Sequence, residues 1–173
     1  MRLNYTEEED FPGQFALWQG NCRRSMRSKA GQAALKRLEA ALLAMPEKRL
    51  IRGKLVDSQQ QVCALGALAK AEGKLPEPDQ REDHDDWDDD DDGVEEFGES
   101  VLKFPRLVAW KVVEMNDIQC DDVPVLAPGP LNKHEPPYLG EDRTGHGRLM
   151  FRAMTPEERY GKVLAWVQAQ IQR

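Results

Sequence analysis

Thr155-Pro156-Glu157-Glu158-Arg159-Tyr160-Gly161-Lys162-Val163-Leu164-Ala165-Trp166-Val167-Gln168-Ala169-Gln170-Ile171 carries a full set of helix signals. Thr155 supplies an N-cap hydroxyl. Pro156 stands at the first helical position, where its missing N–H costs nothing, and Glu158 at the third position completes a capping box. Tyr160, Val163, Leu164, Val167 and Ile171 recur on the 3.6-residue period and give the helix one apolar face. Such a face needs apolar partners from elsewhere in the chain.

Upstream segments supply them. Leu35, Leu38, Leu42 and Met45, with Ala34 and Ala41 beside them, form a second stripe that Ser28 can cap and Pro46 can stop. Cys63-Ala64-Leu65-Gly66-Ala67-Leu68-Ala69-Lys70-Ala71 reads as a helix of small residues, approachable at Ala64, Gly66 and Ala67, with Gly73 to end it. Val94 to Leu102 resumes a helical pattern through Phe97 and Val101. Pro105 suits the first turn of a further helix, with Val108, Val112 and Met115 on one face and Asn116-Asp117 closing it. Leu50-Ile51 and Leu55-Val56 flank Gly53, and Asp57-Ser58-Gln59-Gln60 reads as a turn before Val62-Cys63, which suggests a small hairpin. Residues 1–20 read as an irregular lead-in ending in Trp18-Gln19-Gly20. Residues 118–154 are rich in Pro and Gly, hold no sustained period, and read as a long loop. The expectation is a mainly α fold: a compact bundle of about four or five helices, with or without one small β-hairpin. It would form one domain over 1–173, with an acidic flexible insert at 76–93 and a long loop at 118–154.

Charge is divided unevenly. The chain of 173 residues carries a net −7. Glu77 to Glu99 holds fourteen acidic residues and one basic residue, Arg81, and so carries −13. The remainder holds 23 basic and 17 acidic residues and carries +6. A weakly basic body therefore bears a strongly acidic strap. Cys22, Cys63 and Cys120 are odd in number and widely spaced, with no Cys-x-x-Cys pair, so reduced thiols are expected rather than a zinc or redox motif. The N-terminus lacks the apolar core of a signal peptide, and no apolar run approaches the ~20 residues of a membrane helix. A cytoplasmic location in a bacterial host, without membrane contact, is the expectation.

Three segments resemble a widespread family of small, uncharacterised phage and prophage proteins. The first is Arg24-Ser25-Met26-Arg27-Ser28-Lys29-Ala30-Gly31-Gln32, running on to Pro46-Glu47-Lys48-Arg49-Leu50-Ile51. The second is Val62-Cys63-Ala64-Leu65-Gly66-Ala67-Leu68. The third joins Met115-Asn116-Asp117 to Thr155-Pro156-Glu157-Glu158-Arg159-Tyr160 and Ala165-Trp166-Val167-Gln168-Ala169-Gln170-Ile171. The resemblance implies a phage or prophage product and no particular reaction. The chain departs from the family pattern in both long loops, and at Ala30, where the family tends to carry a basic residue.

The acidic strap is a solvated loop, a polyanion mimic or a weak calcium site. As a mimic, its carboxylates take the place of nucleic-acid phosphates in a basic groove, with the same charge pairing and counterion release. The partner-binding residues would be Asp83, Asp85, Asp86, Asp88, Asp89, Asp90, Asp91, Asp92, Glu95 and Glu96, with Trp87 as an apolar anchor. A dedicated calcium loop is disfavoured, because the distal Glu is misplaced and the Asp spacing is met only trivially. No metal site and no cofactor are expected. Arg23, Arg24, Arg27 and Lys29 form a second constellation, which either contacts phosphates or pairs with the strap or with Glu7, Glu8, Glu9 and Asp10. Catalytic signals are thin. No Gly-x-Ser-x-Gly, phosphate-binding loop or His-Glu-x-x-His motif occurs. His84, His134 and His146 lie in the acidic tract and the long loop, and Cys63 reads as a packing residue. The expected function is a non-catalytic inhibitor or adaptor that binds a basic surface of a host defence complex such as a CRISPR effector. The alternatives are a nucleic-acid-binding accessory protein that uses the basic cluster and, last, an enzyme using Cys63, or His146 with Asp117.

Overall fold

A computed structural model describes residues 12–77, 93–117, 122–127 and 148–172. Along them run α1 (Pro12–Arg27), α2 (Lys29–Ala44), α3 (Ala64–Ala71), α4 (Val94–Ser100), α5 (Arg106–Asp117), β1 (Asp122–Ala127), β2 (Arg148–Ala153) and α6 (Pro156–Gln170). The fold is mainly helical. Its core is built from Leu35, Leu38 and Leu42 of α2, Leu65 and Leu68 of α3, Val108 and Val112 of α5, and Val163 and Val167 of α6, all buried. Fully burying each such side chain is worth about 1.5–3 kcal/mol, so these stripes outweigh helix propensity in fixing the bundle.

The predicted ends hold. Thr155 Oγ1 accepts the Glu158 N–H at 3.3 Å, and Glu158 Oε2 accepts the Thr155 N–H at 3.0 Å. Arg152 of β2 grips the same carboxylate through two bonds of 2.7 and 2.6 Å. That grip, with the Thr155 N–H, holds the Glu158 carboxyl down to about 2. The associated stabilisation is present above the ordinary carboxylate range and fades as pH falls towards that value; at the open surface it is small. Ser28 Oγ caps α2 by accepting the Gly31 N–H at 3.0 Å. α3 ends as Gly73, at φ +67°, and Lys74 donate back to the carbonyls of Lys70 and Ala69. A side chain would strain that left-handed conformation.

Close approach occurs where the small residues fall. A Cβ on Gly66 would overlap the Leu55 carbonyl oxygen and come within 3.1 Å of Val62 Cβ. A Cβ on Gly31 would overlap the Ser25 carbonyl oxygen, where α1 turns into α2. Gln32 locks that turn: its Nε2 donates to the carbonyls of Met26 (2.8 Å) and Gln170 (3.0 Å), and its Oε1 accepts the Gln172 N–H at 2.7 Å.

Three expectations are corrected. The lead-in assigned to residues 1–20 is helical from Pro12, and Trp18-Gln19-Gly20 lies inside α1. Its buried side, Cys22 and Met26 with half-buried Trp18 before them, repeats every fourth residue but is diluted by Arg, Gln and Asn. With α1 the described residues hold six helices, in keeping with the expected mainly helical fold. The loop assigned to 118–154 contains an antiparallel pair, β1 and β2, in register from Asp122↔Ala153 to Ala127↔Arg148. Pro124 is tolerated because a two-stranded ribbon has only edge strands. The hairpin around Gly53 reduces to one bridge, Val56↔Val62, over a turn in which Asp57 Oδ1 accepts the N–H groups of Gln59 and Gln61.

Candidate functional site

In sequence the acidic tract lies between two docked helices, α3 and α4. On one side α3 is buried from Ala64 to Ala69, and Leu75 packs on the core. On the other, Val94 is buried and Gly98 lies so close to Ala109 and Leu65 that a Cβ would meet both at 3.0 Å. Asp83, Asp85, Asp86, Trp87, Asp88, Asp89, Asp90, Asp91 and Asp92 lie outside the described residues, as do His84, His134 and His146. Glu95 and Glu96 occupy the first turn of α4, where the helix dipole favours acids. Glu96 is exposed; Glu95 is half-buried and engaged within the molecule.

The basic cluster straddles the corner between α1 and α2. Arg24 and Arg27 sit in the last turn of α1, and Lys29 opens α2. Arg23, Arg24, Arg27 and Lys29 are all exposed. Arg23 donates to Gln19 Oε1 at 3.4 Å, and none of the four makes an ion pair among the described residues. Of the acids considered as their intramolecular partners, residues 7–10 and strap residues 78–92 lie outside the described residues. Arg37, further along α2, is spent inside the fold: it pairs with Glu72 and donates to the Leu102 carbonyl at 2.9 Å.

Cys63, Asn116 and Asp117 meet at one buried node. Asn116 is 2 % exposed. Its Oδ1 accepts the Ala64 N–H at 3.3 Å, while its Nδ2 donates to the Ile51 carbonyl at 2.9 Å and to Asp117 Oδ1 at 2.5 Å. Asp117 Oδ1 also accepts the Gly53 N–H at 3.1 Å. Arg159 of α6, buried, donates Nη1 to the Leu50 carbonyl at 3.3 Å, and the Leu50 N–H donates to the Pro156 carbonyl at 3.0 Å. The node thus fastens residues 50–53 to α3, α5 and α6. In the sequence Asn116-Asp117 reads as a helix-end cap and Arg159 has no evident role; only the fold brings them beside Leu50 and Ile51.

The chemistry of the node is that of a clamp. Burial pushes the Asp117 carboxyl up, against the opposing pull of the Asn116 and Gly53 hydrogen bonds and the charges of Arg159 and Arg52. Burial pushes the Cys63 thiol up to about 12, and its Sγ is occupied as an N-cap, accepting the Gly66 N–H at 3.4 Å. A thiol in that state is neither ionised nor accessible at neutral pH. Native protein treated with iodoacetamide near pH ~8 is therefore expected to leave Cys63 unmodified until urea is added, as read by peptide mass spectrometry. Rapid native alkylation would reopen the thiol-enzyme reading.

Among the described residues no group of three or more His, Cys, Asp or Glu could hold a metal ion. None of their helices is long and apolar enough to cross a membrane. A family model described as a family of unknown function (DUF6197) matches residues 29–120. The match takes in α2 to α5 with the acidic segment, and leaves out α1, the β ribbon and α6. No curated protein and no solved structure matches the chain.

Proposed function

Since the chain belongs to that family, whose description assigns no activity, we propose from its own residues that it is a non-catalytic inhibitor or adaptor. Its acidic segment engages a basic, nucleic-acid-binding surface of another protein. A host defence complex such as a CRISPR effector is the target class that fits a phage-encoded protein of this kind. The observation that carries the reading is the charge division: −13 within residues 77–99 against +6 in the rest. Dense carboxylates reproduce what a basic groove recognises in a phosphate backbone, and Trp87 adds an apolar anchor. The helices on either side are anchored by their own apolar contacts, so the segment is presented from a framework with a core of its own. The buried Cys63 and inward-facing Asn116 favour binding over catalysis.

The test is competition. A target captured by the full chain at low salt is expected to be released by duplex DNA and by added salt. Capture is expected to disappear in a variant with Asp88, Asp89, Asp90, Asp91 and Asp92 replaced by Ser. Capture that persists in that variant, or that DNA does not displace, contradicts the proposal.

A second reading is favoured by the corner of α1 and α2, where Arg23, Arg24, Arg27 and Lys29 are exposed together. Four phosphate contacts there predict duplex-DNA binding whose log affinity falls against log salt with a slope of about −4. Binding that survives Arg23→Ala, Arg24→Ala and Arg27→Ala combined would remove this reading.

A further inference from the structure

α1, α5 and α6 line an open cleft of about 250 Å³ that plays no part in the strap or the buried node. Its apolar surface comes from Cys22, Met26 and Met115, all buried, and from the half-buried indole of Trp166. Into this setting α5 places an ion pair, Lys111 Nζ to Glu114 Oε2 at 2.5 Å, with side chains only 16 % and 9 % exposed. Lys111 is further fixed by two indoles: its Nζ lies 4.7 Å from the ring centre of Trp18 and 5.2 Å from that of Trp110. Those two rings pack edge to face at 4.4 Å. Withdrawing two charges from water is costly, and a pocket with an apolar wall and a few fixed polar groups is the usual form of a small-ligand site.

We propose that this cleft binds a compact aromatic carboxylate. The size follows from the volume. At protein packing density the cleft accepts roughly 185 Å³ of van der Waals volume, or about a dozen non-hydrogen atoms. The aromatic preference follows from the Trp166 ring and the thioethers of Met26 and Met115, which pack well against ring edges. The charge preference follows from the sum of the lining. Lys111 and Glu114 offset one another, which leaves the Arg23 guanidinium as the excess charge, and its planar fork matches a carboxylate. Gln19 and Gln170 line the same cleft, and Gln19 Oε1 accepts from Arg23 Nη2 at 3.4 Å.

The probe is 1-naphthylacetate, titrated into the full chain and followed by tryptophan fluorescence and amide chemical shifts. Saturable binding is expected with a Kd between about 10 µM and 1 mM, the range open to a ligand of this size, with shifts confined to α1, α5 and α6. Arg23→Gln, at an exposed position that leaves the fold intact, is expected to weaken binding roughly tenfold while leaving the affinity of the uncharged 2-(1-naphthyl)ethanol unchanged. Gln170→Trp, which fills the cleft, is expected to abolish binding of both probes. Replacing residues 78–92 with a neutral linker is expected to leave binding intact, which separates this site from the strap. Failure of 1-naphthylacetate to saturate, equal affinity in Arg23→Gln, or shifts centred away from these three helices would overturn the proposal.

Discussion

Asn116→Leu is expected to lower the unfolding free energy by about 3 kcal/mol or more and the thermal midpoint by roughly 6–12 °C. Leucine matches asparagine in branching and heavy-atom count, and its greater burial gain offsets part of the loss, about 1–2 kcal/mol. Against that stand two backbone groups, the Ala64 N–H and the Ile51 carbonyl, that lose their Asn116 partner in the protein interior. Each costs about 1–3 kcal/mol when left unpaired. Asp117 also loses a hydrogen bond that counters its burial. The desolvation costs win because the amide serves three elements at once. A change below about 1 kcal/mol in urea denaturation would show that residues 50–53 are held by something other than this node.

Gly66→Ala sets two opposing effects against each other. Alanine in a helix is favoured over glycine by about 0.5–1 kcal/mol. At Gly66 the new methyl overlaps the Leu55 carbonyl oxygen and lies 3.0 Å from the carbonyl carbon, both backbone atoms that cannot rotate away. Forcing α3 off residues 55–62 is expected to cost about 3 kcal/mol, leaving a net loss near 2 kcal/mol. Gly161→Ala is the control. Gly161 lies within α6, is exposed, and has nothing within 4 Å of the added carbon, so the propensity gain stands alone there. It is expected to raise stability by about 0.5–1 kcal/mol. Equal effects at the two glycines would contradict the close approach of α3 to the 55–62 segment.

The contrast between these glycines shows what a sequence can and cannot carry. The apolar stripe of α2, the capping box of α6 and the Gly73 stop of α3 are local patterns, and each was legible because its signal lies within one turn or two. The close packing at Gly66 was foreseen as a capacity; its occupant, Leu55, was not, since nothing local pairs the two. α1 was missed because its inner face is made of Trp18, Cys22 and Met26 among polar residues, a weak stripe in composition though a regular one in space. β1 and β2 were missed because 20 residues separate the paired strands and Pro124 interrupts the first. The same distance law hid the cleft. Arg23, Lys111 and Trp166 each look ordinary in sequence, and only the packing of α1, α5 and α6 gathers them. Charge division needs no fold to be read, which is why the proposed function rests on it.

The most direct measurement of that function compares the full chain with a variant whose residues 78–92 are replaced by a Gly/Ser linker of equal length. Both are used to capture partners from host lysate, and the melting temperature of each is recorded alongside. The prediction is a variant that melts within about 3 °C of the parent, because it keeps the core stripes, and that captures none of the basic protein held by the parent. A variant that folds as well and still captures that protein would contradict the claim that the acidic segment is the binding element.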